Sequence, residues 1–296
     1  MRRHRACRAR LIRLSSLLIA LSFAAPGCGT VPEQRLAVSG NALDDPAPTP
    51  RPVDVAAAAE RLTSDLMREV PDLTPDTAES TNRWLALAER AVAAARRPVT
   101  RPQLLVVVDR NPTVQEMRIL LAGPSDAWRN LGGTKVSTGP AGRHGYFLTP
   151  TGVYVHTDAI LDWRAEGTFN ANRIRGLGLK GMRVWDFGWQ RAERGWGRLG
   201  EEGDIRLLLH ATDPDTLEQR LGQAASKGCV RISSAMNRFL DRHGVLDADY
   251  EAAARFDSRI AALLLPDRRP TPLAGTMLVV VDSAEMPQAR TFTPIE

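Results

Sequence analysis

Cysteine is nearly absent from this chain, with three residues in 296, at Cys7, Cys28 and Cys229. The first two lie in or at the edge of an N-terminal segment with the pattern of an export signal, so Cys229 stands alone in the body of the protein. A thiol with no partner in an exported chain points to chemistry rather than to a disulfide. Acidic residues are missing from positions 1 to 27, which hold six arginines. The whole chain carries +5, from 39 basic and 34 acidic residues; without that segment the balance is 33 minus 34, or −1. The basic character therefore belongs to the N-terminus, and no nucleic-acid partner is expected. Aromatic residues make up only 5%, yet Trp185, Trp189 and Trp196 crowd one short stretch, where they either flank a groove or fill the core. Metal-ligand spacing is missing as well. His210, Asp213 and Asp215 are the nearest approach to it, and Pro214 among them marks a turn, so neither a metal nor a cofactor is expected. Gly176, Gly178 and Gly181 form part of a dinucleotide fingerprint without the strand and helix it needs. No internal repeat is apparent.

The N-terminus supplies what an exported chain needs. Basic residues precede the apolar run Leu14–Ala25, and small residues follow it. The run is short of the roughly 20 residues that span a bilayer. Ala25-Pro26-Gly27-Cys28 resembles a bacterial lipobox, in which the cysteine is acylated; the proline and the alanine depart from the usual pattern, and simple cleavage nearby is the other reading. Acylation at Cys28 would attach the protein to a membrane, and Gly29 after it resembles lipoproteins of the outer membrane. Residues 1–28 are thus expected to be a signal, and 29–53, with Pro46, Pro48, Pro50 and Pro52, an extended linker.

Beyond the linker the texture is helical, then extended. Asp54 caps an expected helix to about Val70, and a second runs from about Thr77 to Arg97, ended by Pro98. This pair, 54–98, reads as an appendage packed on a main domain at 103–283, with 284–296 as a tail. Leu104–Val108 is a buried strand, Val114–Ala122 its return, and Trp128–Ser137, Val153–Thr157, Ile205–Leu209 and Met277–Val281 are further strands. Gly139–Gly145 is a glycine-rich loop. Residues 160–203 read as long loops with short strands, Leu217–Leu221 as a short helix or turn, and Ser233–His243 and Tyr250–Leu265 as helices. The fold class expected is mainly β, with helices in the N-terminal appendage and after the loop at Cys229.

The chemistry gathers at Ser226-Lys227-Gly228-Cys229-Val230-Arg231, which begins sixteen residues after His210. A thiolate is the nucleophilic form of cysteine, and an imidazole or a nearby cation favours it. His210 ends an expected strand, and Gly228 lets the backbone turn sharply so that amides can face an oxyanion. Spacing alone does not join these residues, but the wider pattern does. His210 with Ser226–Arg231 resembles the signature of the L,D-transpeptidase (YkuD-domain) family. Val107-Val108-Asp109-Arg110, Val136-Ser137-Thr138-Gly139 and Thr149-Pro150-Thr151-Gly152-Val153-Tyr154 are similar to that family's upstream segments, so the resemblance covers about 103–235 and the strand at 277–281.

The resemblance implies a mixed β-sheet sandwich and acyl transfer on peptidoglycan stem peptides at the periplasmic side of the cell envelope. It implies Cys229 as nucleophile, His210 as base with a backbone carbonyl to orient it, and the Gly228 and Cys229 amides as oxyanion hole. Ser226, Lys227 and Arg231 fall at the substrate, with Arg231 holding the loop or a carboxylate. An amine acceptor gives a cross-link, and water gives carboxypeptidase activity. The family has histidine where this chain has Lys227, which is a donor only and cannot act as an imidazole-like base. It could stabilise the thiolate or pair with a substrate carboxylate. It also motivates the competing reading, a non-catalytic peptidoglycan-binding lipoprotein of the envelope. His144 and His156 lie close enough in sequence to these motifs to line a cleft or to be structural.

Overall fold

The structure, a computed structural model, describes residues 54–124 and 128–285. The export segment with Cys28, the linker to residue 53 and residues 286–296 of the tail lie outside the described residues. Two helices come first, α1 (Val55–Glu69) and α2 (Ala78–Ala94). Asp54 caps α1 by accepting from the Ala57 amide at 2.9 Å, and Thr77 with Ser80 forms a reciprocal cap on α2. None of the described helices is long and apolar enough to cross a membrane.

The strands form two mixed sheets. The first is ordered β3 (Arg129–Gly132), β2 (Glu116–Ala122), β1 (Gln103–Asp109), β9 (Met277–Val281) and β4 (Gly152–Val155), with β1 and β9 parallel. β1 and β9 are buried along their whole length, which is why they read as unbroken apolar runs. Leu104, Val106 and Val108 pack toward the second sheet, while Leu105 and Val107 pack against Trp84, Leu87 and Val92 of α2. The second sheet is ordered β5 (Trp163–Arg164), β6 (Arg183–Glu193), β7 (Glu202–Ala211) and β8 (Val230–Ile232). Trp185 and Phe187, Leu207 and Leu209, and Val230 and Ile232 meet the first sheet in one core, closed by α1 and by α3 (Ser234–His243). The result is a mixed α/β protein with two facing sheets and few helices.

Several boundaries differ from the sequence reading. Residues 160–203 contain an eleven-residue strand, β6, rather than short pieces. Its period is broken by Gly188, at φ +75°, where the register with β7 shifts between Asp186 and Trp189. The stretch expected as one helix from Tyr250 to Leu265 is two six-residue helices, α4 (Ala248–Ala253) and α5 (Ser258–Leu263), because Asp257 caps a fresh start by accepting from the Arg259 amide. The strand expected over 128–137 is regular only at β3, and Thr134, Lys135 and Ser137 make isolated bridges beyond it.

Candidate active site at the β7–β8 edge

β7 and β8 run parallel, with Leu209 opposite Val230 and His210 opposite Arg231. Leu209 and Val230 point into the core between the sheets. Side chains alternate along a strand, so His210 and Arg231 project to the opposite face, and Cys229, one residue ahead of β8, projects with them. The strand pairing alone thus brings the histidine and the cysteine to one face of one sheet.

The loop before Cys229 is fixed by three separate segments. Gly228 has φ +126°, and a Cβ there would lie 2.9 Å from Ile205 Cδ1, so the turn requires glycine. Ser226 Oγ accepts from the Gly228 amide at 3.1 Å and donates to the Cys229 carbonyl at 2.5 Å. Thr149 Oγ1 donates to the Gly228 carbonyl at 2.8 Å and accepts from the Gly139 amide at 2.9 Å. The Ser226 amide donates to the Thr138 carbonyl at 2.9 Å, and Ser137 pairs with Arg231 through both backbone groups. Buried Gln115 completes the frame: its Oε1 accepts from the Thr138 amide and its Nε2 donates to Thr138 Oγ1, both at 2.8 Å. The segments Ser137–Gly139, Thr149–Gly152 and Ser226–Arg231, distant in sequence, are one hydrogen-bonded assembly. The Gly228 amide, which the resemblance implies as an oxyanion donor, is taken up by Ser226 Oγ.

His210 is buried, and its Nδ1 lies 2.6 Å from the Ala211 carbonyl. A carbonyl only accepts, so Nδ1 carries the hydrogen and Nε2 keeps its lone pair. Burial pushes the imidazole down to about 4; the Ala211 bond opposes this and the Arg231 charge adds to it. Burial raises the Cys229 thiol. A backbone hydrogen bond from Leu208 and the charge of Arg231 oppose that rise, while Asp186 adds to it. The thiol donates a long hydrogen bond, 3.6 Å, to the Arg206 carbonyl. Both groups are therefore neutral at rest. Asp186 is itself engaged by Arg206 at 2.6 Å.

Arg231 reaches the Ala225 carbonyl at 3.4 Å, while its Nε is buried with no protein partner. Lys227 extends over the Tyr146 ring, 5.9 Å from its centroid. The cation whose charge acts on the thiol is Arg231.

Other sequence candidates lie elsewhere. Asp213 and Asp215 bind Arg175, at 3.4 and 2.6 Å, and His210 faces Ala211, so the three do not converge on a metal. Gly178 packs against Ala211 in the loop before β6, with no helix following. The three tryptophans part company: Trp185 is core, Trp189 is 68% exposed, and Trp196 stacks edge-on with Phe147 and tilted with His144. His156 is fully buried, its Nδ1 3.0 Å from the Leu246 carbonyl and its Nε2 2.9 Å from Asp162. It belongs to a core ionic cluster with Arg183, Asp162 and Asp247, not to a cleft.

Sequence reasoning missed Gln115, Arg143, Tyr146, Asp186 and Arg206. Arg143 carried a local signal, since it sits in the glycine-rich loop that Tyr146 follows; Asp186 and Arg206 are brought in by strand pairing and Gln115 by the turn before β2. A comparison with protein-family models finds no match to this chain, and a comparison with curated proteins finds none either.

Proposed function

We propose that the protein is an L,D-transpeptidase-like acyltransferase of the cell envelope, acting on peptidoglycan stem peptides through a thioester on Cys229. The observation that carries this reading is the convergence of Ser137–Gly139, Thr149 and Ser226–Cys229 on one loop, with the His210 imidazole on the neighbouring strand. A mixed β-sheet sandwich of the L,D-transpeptidase kind would present such a loop at the edge of its second sheet. Export, and a lipid anchor at Cys28, belong to the same reading.

The resting chemistry favours general-base catalysis over a preformed ion pair. The thiol proton passes to His210 Nε2 as sulfur bonds the carbonyl carbon, and the developing oxyanion meets the Cys229 amide. As the tetrahedral adduct collapses, the C–N bond breaks and His210 returns the proton to the leaving amine. An acceptor amine or water then attacks the thioester carbonyl and yields its proton to His210. That proton returns to the departing sulfur, restoring the thiol. Arg231 stabilises the thiolate while the charge exists. No metal or cofactor enters these steps.

A second reading has its own support. The raised thiol, bonded to the Arg206 carbonyl rather than to a base, also fits a non-catalytic peptidoglycan-binding lipoprotein. Intact mass after incubation with a carbapenem separates the two. A stoichiometric adduct lost in Cys229→Ala is expected. An unmodified protein whose Cys229 still alkylates with iodoacetamide would leave the binding reading in possession.

A further inference from the structure

The mouth of the site carries positive charge that no salt bridge offsets among the described residues. The Arg143 guanidinium lies over the Tyr146 ring, 3.9 Å from its centroid, and Lys227 approaches the same ring. The Arg143 charge and Tyr146 both act on Arg231. Among the described residues no carboxylate forms a salt bridge with Arg143, Lys227 or Arg231, and the acid that acts on Cys229, Asp186, is occupied by Arg206. Arg231 Nε adds a buried donor without a protein partner. Like charges gathered around one ring, with donors unspent, stabilise an anion that enters among them.

We propose that Arg143 and Tyr146, with Lys227 and Arg231, form an anion-recognition subsite that selects acyl donors bearing a carboxylate near the reacting carbonyl. Tyr146 is a positioning residue: its ring holds two cations on a shared platform. Arg143 supplies specificity from the glycine-rich loop. The inference rests on Cys229 as the reacting atom, the reading proposed above, but its test reads the thiol directly and needs no turnover.

The test compares alkylation of Cys229 in the full chain by iodoacetate, an anion, and by iodoacetamide, its neutral analogue. Modification is read at the Cys229 peptide by mass. At low ionic strength the iodoacetate-to-iodoacetamide rate ratio should exceed that of N-acetylcysteine amide by about tenfold, falling toward it in 1 M salt, where the Debye length is about 3 Å. Arg143→Gln should lower the ratio about threefold, with an unchanged urea midpoint showing that the fold is intact. Arg129→Gln on the other sheet, the same change in net charge, should leave the ratio alone. A ratio equal to that of the small thiol, an unaltered ratio in Arg143→Gln, or a Cys229 that neither reagent reaches would each overturn the subsite. An anion preference without a carbapenem adduct would instead retire acyl transfer and leave the subsite standing.

Discussion

Two buried histidines in this protein have opposite fates. His156 places both ring nitrogens against acceptors, the Leu246 carbonyl and Asp162, so both must carry hydrogens and the ring is an imidazolium. Burial opposes that charge, yet Asp162 and Asp247 outweigh it and hold its pKa above the ordinary value. His210 has one nitrogen on a carbonyl, the other unspent, and a cation, Arg231, for a neighbour. Burial then wins and the ring stays neutral. Burial is the first influence on both; the sign of the adjacent charge decides the outcome. The His156 region is built as a closed ionic core, and the His210 region as an open set of donors and a base.

The largest effect that could break this contrast is expected at Arg183. Its Nε and Nη2 both lie 2.9 Å from Asp162, and Nη2 is 3.5 Å from Asp247, all fully buried. Removing one member of a buried ionic set strands the others, at a cost of about 3–5 kcal/mol. Arg183→Met should lose that much in urea denaturation, whereas Cys229→Ala should lose less than about 1 kcal/mol. Similar losses in the two would mean that the core is no more dependent on its charges than the site is.

pH should sharpen the contrast next, because the two histidines act in opposite directions. The folded pKa of His210, about 4, lies below its unfolded value of 6.5. Its contribution is therefore intact above 6.5 and is lost as pH falls through the window from 6.5 to 4, by about 3 kcal/mol. His156 is raised, so its contribution is intact below 6.5 and is lost as pH climbs through its folded value. Stability measured by urea at a series of pH values should fall on both sides. His210→Gln should flatten the acid limb and His156→Gln the alkaline limb; exchange of those two results would reverse the assignment of charge.

Legibility in the sequence divides along the same line. The candidate site's motifs could be picked out because Ser-Lys-Gly-Cys, Ser-Thr-Gly and Thr-Pro-Thr-Gly are short runs; Ser226 bonds to backbone two and three residues on, while Thr149 reaches Gly139 and Gly228 from other segments. The strands β1 and β9 could be read because burial on both faces leaves an unbroken apolar run. The ionic core could not, since His156, Asp162, Arg183, Asp241 and Asp247 share no period and meet only after β6 pairs with β7 and α3 closes over them. β6 itself was hidden by Gly188, whose bulge shifts the alternation halfway along. Of the two roles open to Lys227, stabilising the thiolate or pairing with a substrate carboxylate, the sequence could not choose, because two positions of separation from Cys229 say nothing of where a long side chain goes; its ammonium lies over the Tyr146 ring.

A smaller change should come from Thr149. Thr149→Val removes the donor to the Gly228 carbonyl and the acceptor of the Gly139 amide, both at buried positions, and should cost about 1–3 kcal/mol. Because the loop also hangs from Ser226 and Thr138, the thiol should remain alkylatable, and a loss of all Cys229 reactivity would show Thr149 to be the sole support.

The smallest effect is expected at Lys227, where the L,D-transpeptidase pattern that the loop resembles has histidine. Lys227 is exposed and faces Tyr146, so water screens its charge from the thiol, and such a charge is worth a few tenths of a kcal/mol at most. Arg231 is partly buried and acts on the sulfur directly. In the pH dependence of iodoacetamide alkylation, the midpoint for Cys229 should lie above that of an ordinary thiol. Lys227→His should leave it within about 0.3 unit, since one unit corresponds to about 1.4 kcal/mol. Arg231→Met should move it further upward. A Lys227→His midpoint shifted by a full unit, with Arg231→Met inert, would exchange the two cations' roles and make the lysine the true electrostatic partner of Cys229.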